Sequence, residues 1–307
     1  MMPARLPETL AFLMRRRALS RLGTLGALAL SHSLQARTSI TRPSRIVCIG
    51  GALTEIIYAL GAESCLVGVD TTSTFPSQAL SLPQVGYARS LSAEGILALA
   101  PTQVLVTEDA GPAKVLRQVT AAGVPIELLD SAHSFDGLLR RITLIGRMLA
   151  CEARSFTMID QLKNEWNQVQ FLLPSSSSVR PRVLFLFAQS ANRLMAAGAE
   201  TGAHAMIEYA GAVNAATQFT GYKPISPESL ILSRPDVLLF TEHSLRAIGD
   251  LSAVLKLQGV NQTRAGKDQR IAVMDASLLL GFGPRMPEAV RRLRAQFYPE
   301  SVVSSAA

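Results

Sequence analysis

Ser92-Ala93-Glu94-Gly95-Ile96-Leu97, followed by Pro101 and then Gln103-Val104-Leu105-Val106, returns in pattern 134 residues further along the chain. The second copy reads Ser226-Pro227-Glu228-Ser229-Leu230-Ile231, then Pro235 and Val237-Leu238-Leu239-Phe240. Serine, glutamate, the proline seven residues after the glutamate and the apolar run all keep one offset. Each serine suits a helix N-cap, each glutamate the first turn where the helix dipole favours negative charge, and each apolar run a buried strand. Two such copies predict two similar α/β lobes with a cleft between them.

Outward from the first copy, Arg45-Ile46-Val47-Cys48-Ile49 reads as a buried strand ended by Gly50-Gly51, with a helix over Leu53–Leu60 and a short strand over Cys65–Val69. Residues 71–91 form a loop rich in Thr, Ser and Pro. Val104–Val106, a helix over Pro112–Ala122 and Ile126–Leu129 continue the alternation, which implies a parallel sheet covered by helices on both faces. From Phe135 to Leu173 no proline interrupts the chain. Leu138, Ile142, Ile145 and Leu149, then Ile159, Leu162, Trp166 and Val169, recur at helical spacing and predict one or two long helices with no strand between. Pro174-Ser175-Ser176-Ser177-Ser178 reads as a flexible joint. Alternation restarts at Val183-Leu184-Phe185-Leu186-Phe187. The expected fold is α/β, with two Rossmann-like lobes over 43–134 and 180–300, each on a parallel sheet. A long rigid helix over 135–173 joins them.

The chain has 307 residues, 48% hydrophobic and 17% charged, enough for two ordinary domains with sizeable cores. Arg15-Arg16-Arg17, an apolar stretch over Leu22–Leu30 and small or polar residues to Ala36 follow the order of a secretory signal over 1–36, and the arginines also fit a twin-arginine signal. That apolar run is too short for a membrane anchor. The leader holds five arginines and one glutamate, so it carries four of the seven net positive charges and its removal leaves +3. Such a balance gives no case for nucleic acid. Cys48, Cys65 and Cys151 leave one thiol unpaired. Cys48 reads as a buried thiol, and a Cys48–Cys65 bridge stays open in an oxidising compartment.

Ligands of open α/β sheets bind beyond the carboxyl ends of the strands. The loops before the two matched helices should therefore face the cleft. One contains Gly86-Tyr87-Ala88-Arg89, the other Gly221-Tyr222-Lys223. A cation beside a phenol favours phenolate, a hard ligand for ferric iron, and basic residues suit carboxylates on the same ligand. The alternative is that both tyrosines pack on the following helix. Glu94 and Glu228 would form a spaced pair of charges on one face, legible to a symmetric partner carrying arginines. Beyond the leader the histidines are His133, His204 and His243, each read as structural or surface. No nucleophile elbow, phosphate loop or metalloprotease helix is present.

At Leu82-Pro83-Gln84-Val85-Gly86-Tyr87-Ala88-Arg89 running into Leu91-Ser92-Ala93-Glu94, at Gly221-Tyr222-Lys223-Pro224-Ile225-Ser226 and at Leu280-Gly281-Phe282-Gly283-Pro284-Arg285, the chain resembles a known family. It is similar to the haem-binding members of the periplasmic substrate-binding proteins of ABC transporters, in the class III subgroup shared with vitamin B12 and siderophore binders. The resemblance covers residues 43–299. It implies a non-enzymatic periplasmic monomer that carries haem as cargo. Tyr87 would be the axial ligand to ferric haem iron, Arg89 would hold the phenolate or a propionate, and Tyr222 and Lys223 would contribute from the second lobe. Arg285 would be a further cleft residue or simply a helix-end arginine. Glu94 and Glu228 would dock on the permease dimer. Where relatives often present an arginine near the cleft this chain has His243, so either His243 or Arg246 completes the second wall. A siderophore or vitamin B12 carrier remains an alternative, as does a chelatase-like enzyme handling a tetrapyrrole or metal.

Overall fold

In the first lobe the chain passes through β1 (Ile46–Ile49), α1 (Gly51–Ala59), β2 (Leu66–Val69), β3 (Gly86–Tyr87), β4 (Ser90–Leu91), α2 (Ala93–Leu97), β5 (Gln103–Thr107), α3 (Ala113–Ala121) and β6 (Ile126–Leu129). This computed structural model describes residues 44–171, 179–190 and 193–299. The leader and the Pro174–Ser178 joint read from the sequence lie outside them. The first sheet has the order β2-β1-β5-β6 and every pairing is parallel. All four residues of β1 are fully buried, which is why this strand is an unbroken apolar run rather than an alternating one.

Two helices follow, α4 (Phe135–Met148) and α5 (Glu152–Phe171). Ser134 caps α4 by accepting from the Gly137 N–H at 3.0 Å. The helical connector read over 135–173 is thus divided, at Ala150, whose φ of 51° ends the first helix. The helices fold back on each other. Gly146 approaches Ser155 so closely that a Cβ there would lie 2.5 Å from the serine side chain, and Phe135 stacks on Trp166 with ring centroids 4.5 Å apart.

The second lobe contains β7 (Arg182–Ser190), β8 (Arg193–Ala197), α6 (Gly202–Tyr209), β9 (Val213–Asn214), β10 (Tyr222–Pro224), α7 (Pro227–Leu232), β11 (Val237–Thr241) and α8 (Glu242–Ile248). It ends with α9 (Leu251–Leu255), α10 (Arg264–Lys267), β12 (Ile271–Met274), α11 (Ala276–Leu280) and α12 (Met286–Phe297). Its sheet runs β10-β8-β7-β11-β12, with β9 beside the start of β7. The β7, β11 and β12 core is parallel, as expected, while β8 and β10 add antiparallel pairings. Only two residues separate β7 from β8, a connection that permits an antiparallel return and no crossover. The internal repeat is visible in space. β5 lies beside β1 as β11 lies beside β7, and each is preceded by its short capped helix, α2 or α7.

Strand alternation divides the core. Ile46, Cys48, Leu105, Val183, Phe185 and Leu239 belong to one apolar cluster that also takes in Ile142, Ile159 and Phe297, so it runs through both lobes and the connector. The intervening residues fill separate lobe cores, Val47, Ile49, Val104 and Val106 in one and Leu184, Leu186, Leu238 and Phe240 in the other. Helix α5 packs on both α4 and α12, and Trp166 meets Tyr209 edge-on at 5.1 Å as well as Phe135. Two polar ties cross the same seam. Arg141 Nη2 donates to the Phe282 carbonyl at 2.8 Å, and Glu55 accepts from both Arg285 N (3.1 Å) and Arg285 Nη2 (2.9 Å). The lobes thus share a packed floor. Among the described residues no helix is long and apolar enough to cross a membrane.

Candidate functional site

Tyr87 is carried on the β3–β4 hairpin, in which Gly86 pairs with Leu91 and Tyr87 with Ser90, leaving Ala88-Arg89 as the turn. Gly86 has a φ of +103°, a conformation glycine adopts without strain, and this turns the next side chain outward. Ala88 is buried and anchors the turn, while Tyr87 keeps 44% of its surface exposed. Arg89 Nη1 donates to Tyr87 Oη at 2.8 Å, and Arg89 Nη2 is paired with Asp109. Burial alone would lower the Arg89 pKa. Asp109 and Tyr87 outweigh it and hold the guanidinium above its ordinary value.

Tyr222 comes from the second lobe, on the edge strand β10 opposite Ala197 of β8. Pro224 ends this three-residue strand, where the missing N–H is tolerated because the edge is unpaired. The Tyr222 ring packs edge-on against buried Phe185 at 6.4 Å and leaves 42% of the residue exposed. Its phenol is pushed above the ordinary value, first by the protein walls around it; Arg89 opposes this and Tyr87 adds to it. Tyr222 therefore lies within electrostatic reach of Arg89 and Tyr87. Lys223 stands beside Tyr222 with Nζ 5.5 Å from the centroid of the Phe219 ring.

The other predicted residues are distributed around this centre. His243 is exposed on the first turn of α8, at the carboxyl end of β11, and Arg246 one turn on pairs with Glu242 at 3.5 Å. Arg285 is turned into the seam, where it bonds Glu55 and Ser277 and lies over the Phe75 ring at 3.5 Å. Glu94 and Glu228 are both exposed in first turns, below serine caps that accept from Gly95 N at 3.3 Å and Ser229 N at 3.2 Å. The Glu228 carboxyl is held below its ordinary value by its own backbone N–H and by Ser226.

Two residues belong to the site that sequence reading did not assign to it. Asp109, in the loop after β5, grips Arg89 from 20 positions away, a spacing with no local signature. His133, read as structural or surface, leads into α4 with its ring 5.2 Å from Phe282. The surrounding walls lower its pKa, and Asp109 opposes them. All three cysteines carry free thiols, so the Cys48–Cys65 bridge is not formed. A concavity of about 600 Å³ lies away from the tyrosines, between α4 and α5, and is lined by Arg140, Arg147, Phe156 and Lys163 among others.

Chemically, the cleft offers an exposed phenol whose oxygen receives a guanidinium hydrogen bond, with a second phenol and a lysine on the facing wall. A bond from a cation to a phenol oxygen stabilises the phenolate, and this is a set for binding a hard metal centre with anionic groups. The profile of the periplasmic binding protein family matches residues 46–278. The solved apo structure of the periplasmic heme-binding protein RhuT from Roseiflexus sp. RS-1 is similar at a TM-score of 0.80 and 38% identity, covering 83% of this chain and 98% of that one. An uncharacterized ABC transporter substrate-binding lipoprotein, YvrC of Bacillus subtilis (strain 168), is 27% identical over 261 residues, 84% of this chain and 81% of its own length. A cobalamin-binding protein of Halobacterium salinarum is 24% identical over 276 residues, 87% of this chain and 73% of its own. The match over residues 46–278, most of the chain, leads to one conclusion: the chain belongs to the periplasmic binding protein family.

Proposed function

We propose that this chain is the periplasmic substrate-binding component of an ABC importer, capturing ferric haem between Tyr87 and Tyr222 and delivering it to an inner-membrane permease. The observation that carries the reading is the Arg89 Nη1 bond to the oxygen of an exposed tyrosine. Tyr87 is the axial ligand, because a phenolate so supported is a strong donor to ferric iron. Haem is a large apolar disc with two carboxylates. Tyr222 offers a ring edge to the disc, and Lys223 and His243 are the second-lobe groups for its propionates. Arg285, occupied by Glu55, serves the seam beneath the disc rather than the disc itself. The similar solved structure named as heme-binding supports this cargo.

Glu94 and Glu228 are the docking carboxylates, one per lobe, for arginines on a permease dimer. The protein acts as a monomer in the periplasm after loss of its leader, and the relative named as an ABC transporter substrate-binding lipoprotein supports the transport role. The lobe bounds 43–134 and 180–300, with the 135–173 connector, are the units that tilt on docking. A corrinoid cargo is the second reading, favoured by the relative named as cobalamin-binding. Titration of the purified mature chain with haemin and, separately, with cobalamin tests the choice. A saturable high-spin ferric spectrum with haemin, and recovery of the tetrapyrrole unchanged, is expected. Saturable binding of cobalamin alone overturns the haem assignment, and turnover of the tetrapyrrole overturns the non-enzymatic one.

A further inference from the structure

We infer that Asp109 is a positioning residue for haem ligation, acting through Arg89 to keep a guanidinium N–H on the Tyr87 oxygen; the inference rests on ligation by Tyr87. Arg89 and Asp109 are both largely exposed, with side chains 60% and 42% accessible, so their attraction alone contributes little to stability. What the pair does is orient. A guanidinium is one rigid plane, so when Asp109 fixes Nη2 the direction of Nη1 follows, and Nη1 is the group that donates to Tyr87 Oη at 2.8 Å. Without that hold, a long exposed arginine samples many rotamers and loses the tyrosine for much of the time.

The loop bearing Asp109 is built to stay still. Gly111 N donates to the Ala88 carbonyl at 2.8 Å and Leu91 N donates to the Gly111 carbonyl at 3.0 Å, tying the loop to the tyrosine hairpin on both sides of Arg89. Ala110 N closes back on the Thr107 carbonyl at 2.9 Å. On the other flank, Glu108 N donates to the Leu129 carbonyl at 3.2 Å, and the Glu108 carboxylate accepts from Ser131 N at 3.2 Å. Asp109 therefore projects from a turn fastened both to the hairpin and to the loop that carries His133. Asp109 partly neutralises Arg89, which by itself weakens phenolate stabilisation. Orientation outweighs this, because an N–H that is not aimed at the oxygen contributes almost nothing.

The test uses the mature chain loaded with haemin. Phenolate-to-iron charge-transfer absorption and the rate of haem transfer to excess apomyoglobin are recorded for Asp109→Ala, Asp109→Glu, Arg89→Ala and the Arg89→Ala/Asp109→Ala double variant. Asp109→Ala is expected to weaken the phenolate band and to speed haem loss roughly tenfold, the scale of one charge-assisted hydrogen bond at a partly exposed site. Asp109→Glu restores most of both, and the double variant behaves as Arg89→Ala alone. An unmoved band and rate in Asp109→Ala, with the wild-type band present, overturns the inference, as does full additivity in the double variant. Absence of the phenolate band from the wild-type complex instead overturns ligation by Tyr87, and with it the basis of this role.

Discussion

Arg285 Nη2 and Glu55 Oε2 lie 2.9 Å apart although 230 positions separate them, and they join the last helix of the second lobe to the first helix of the first. The carboxylate side chain is only 8% exposed and the guanidinium 21%. Desolvation dominates there. Burial holds the Glu55 carboxyl above its ordinary value, with the Arg285 bonds opposing.

Removing one partner of such a pair strands the other. Arg285→Ala should cost about 3–5 kcal/mol in urea denaturation at neutral pH, because a nearly dry carboxylate loses its countercharge and keeps only the backbone N–H of residue 285. Glu55→Gln should stay within about 1 kcal/mol of the parent, since the amide keeps an acceptor and avoids the desolvation. With its folded value raised, Glu55 takes up a proton more readily in the folded than in the unfolded state. Its contribution is therefore greatest below the ordinary carboxylate range and declines as pH climbs through the raised value. The Arg285→Ala deficit should shrink in acid, and a deficit that grows as pH falls would contradict this account.

The two tyrosines are not equivalent. Tyr87 Oη receives a guanidinium N–H, while the Tyr222 phenol is pushed upward by its surroundings. Tyr87→Phe is expected to abolish the high-spin ferric haem spectrum, whereas Tyr222→Phe should retain it. Loss in the second variant and retention in the first would exchange their roles.

Docking is separable from capture. Glu94 and Glu228 are solvent-exposed on the first turns of α2 and α7. Glu94→Lys combined with Glu228→Lys should leave haemin titrations unchanged and stop haem-dependent growth of a strain relying on this importer. Growth at the parental rate would remove the docking role.

Thiol chemistry follows from burial. The Cys48 thiol is pushed far above its usual range by complete burial, with Thr54 opposing. Cys65 is pushed up to about 11, again by burial, with its own backbone opposing and Cys151 adding. At pH 8 iodoacetamide should label Cys65 in the folded protein roughly a hundredfold more slowly than a free thiol, because only the thiolate reacts. Mass spectrometry during a labelling time course checks this, and fast native labelling of Cys65 would refute it.

Local pattern carried much of the fold into view. A serine cap, a first-turn glutamate and an apolar strand are short-range features, so α2–β5 and α7–β11 were readable and their shared offset exposed the second lobe. β8 was not, because its Met195-Ala196-Ala197 run has weak strand propensity and is held by pairing with β7. β10 is three residues long and ends in proline. The break at Ala150 escaped helical periodicity, since alanine favours helix and only the fold-back of α5 on α4 requires the turn. In the site, Tyr87-Ala88-Arg89 was legible as a sequence neighbourhood. Asp109 was not, for its meaning comes from a contact that forms only once the loop after β5 is tied to the hairpin. Arg285 gave an ambiguous signal because nothing near it in sequence announces Glu55.

Trp166 is the chain's one tryptophan, and it stands on the connector between Phe135, at the connector's own start, and Tyr209 of the second lobe. Its indole emission is therefore an intrinsic gauge of the hinge, needing no added label. A tilt of the lobes that parts it from Tyr209 while Phe135 stays stacked changes the polarity on one edge of the indole alone. Bound haem, a strong absorber of such emission, adds a second signal from the same residue. Cargo loading and lobe movement can thus be timed against each other in a single fluorescence trace.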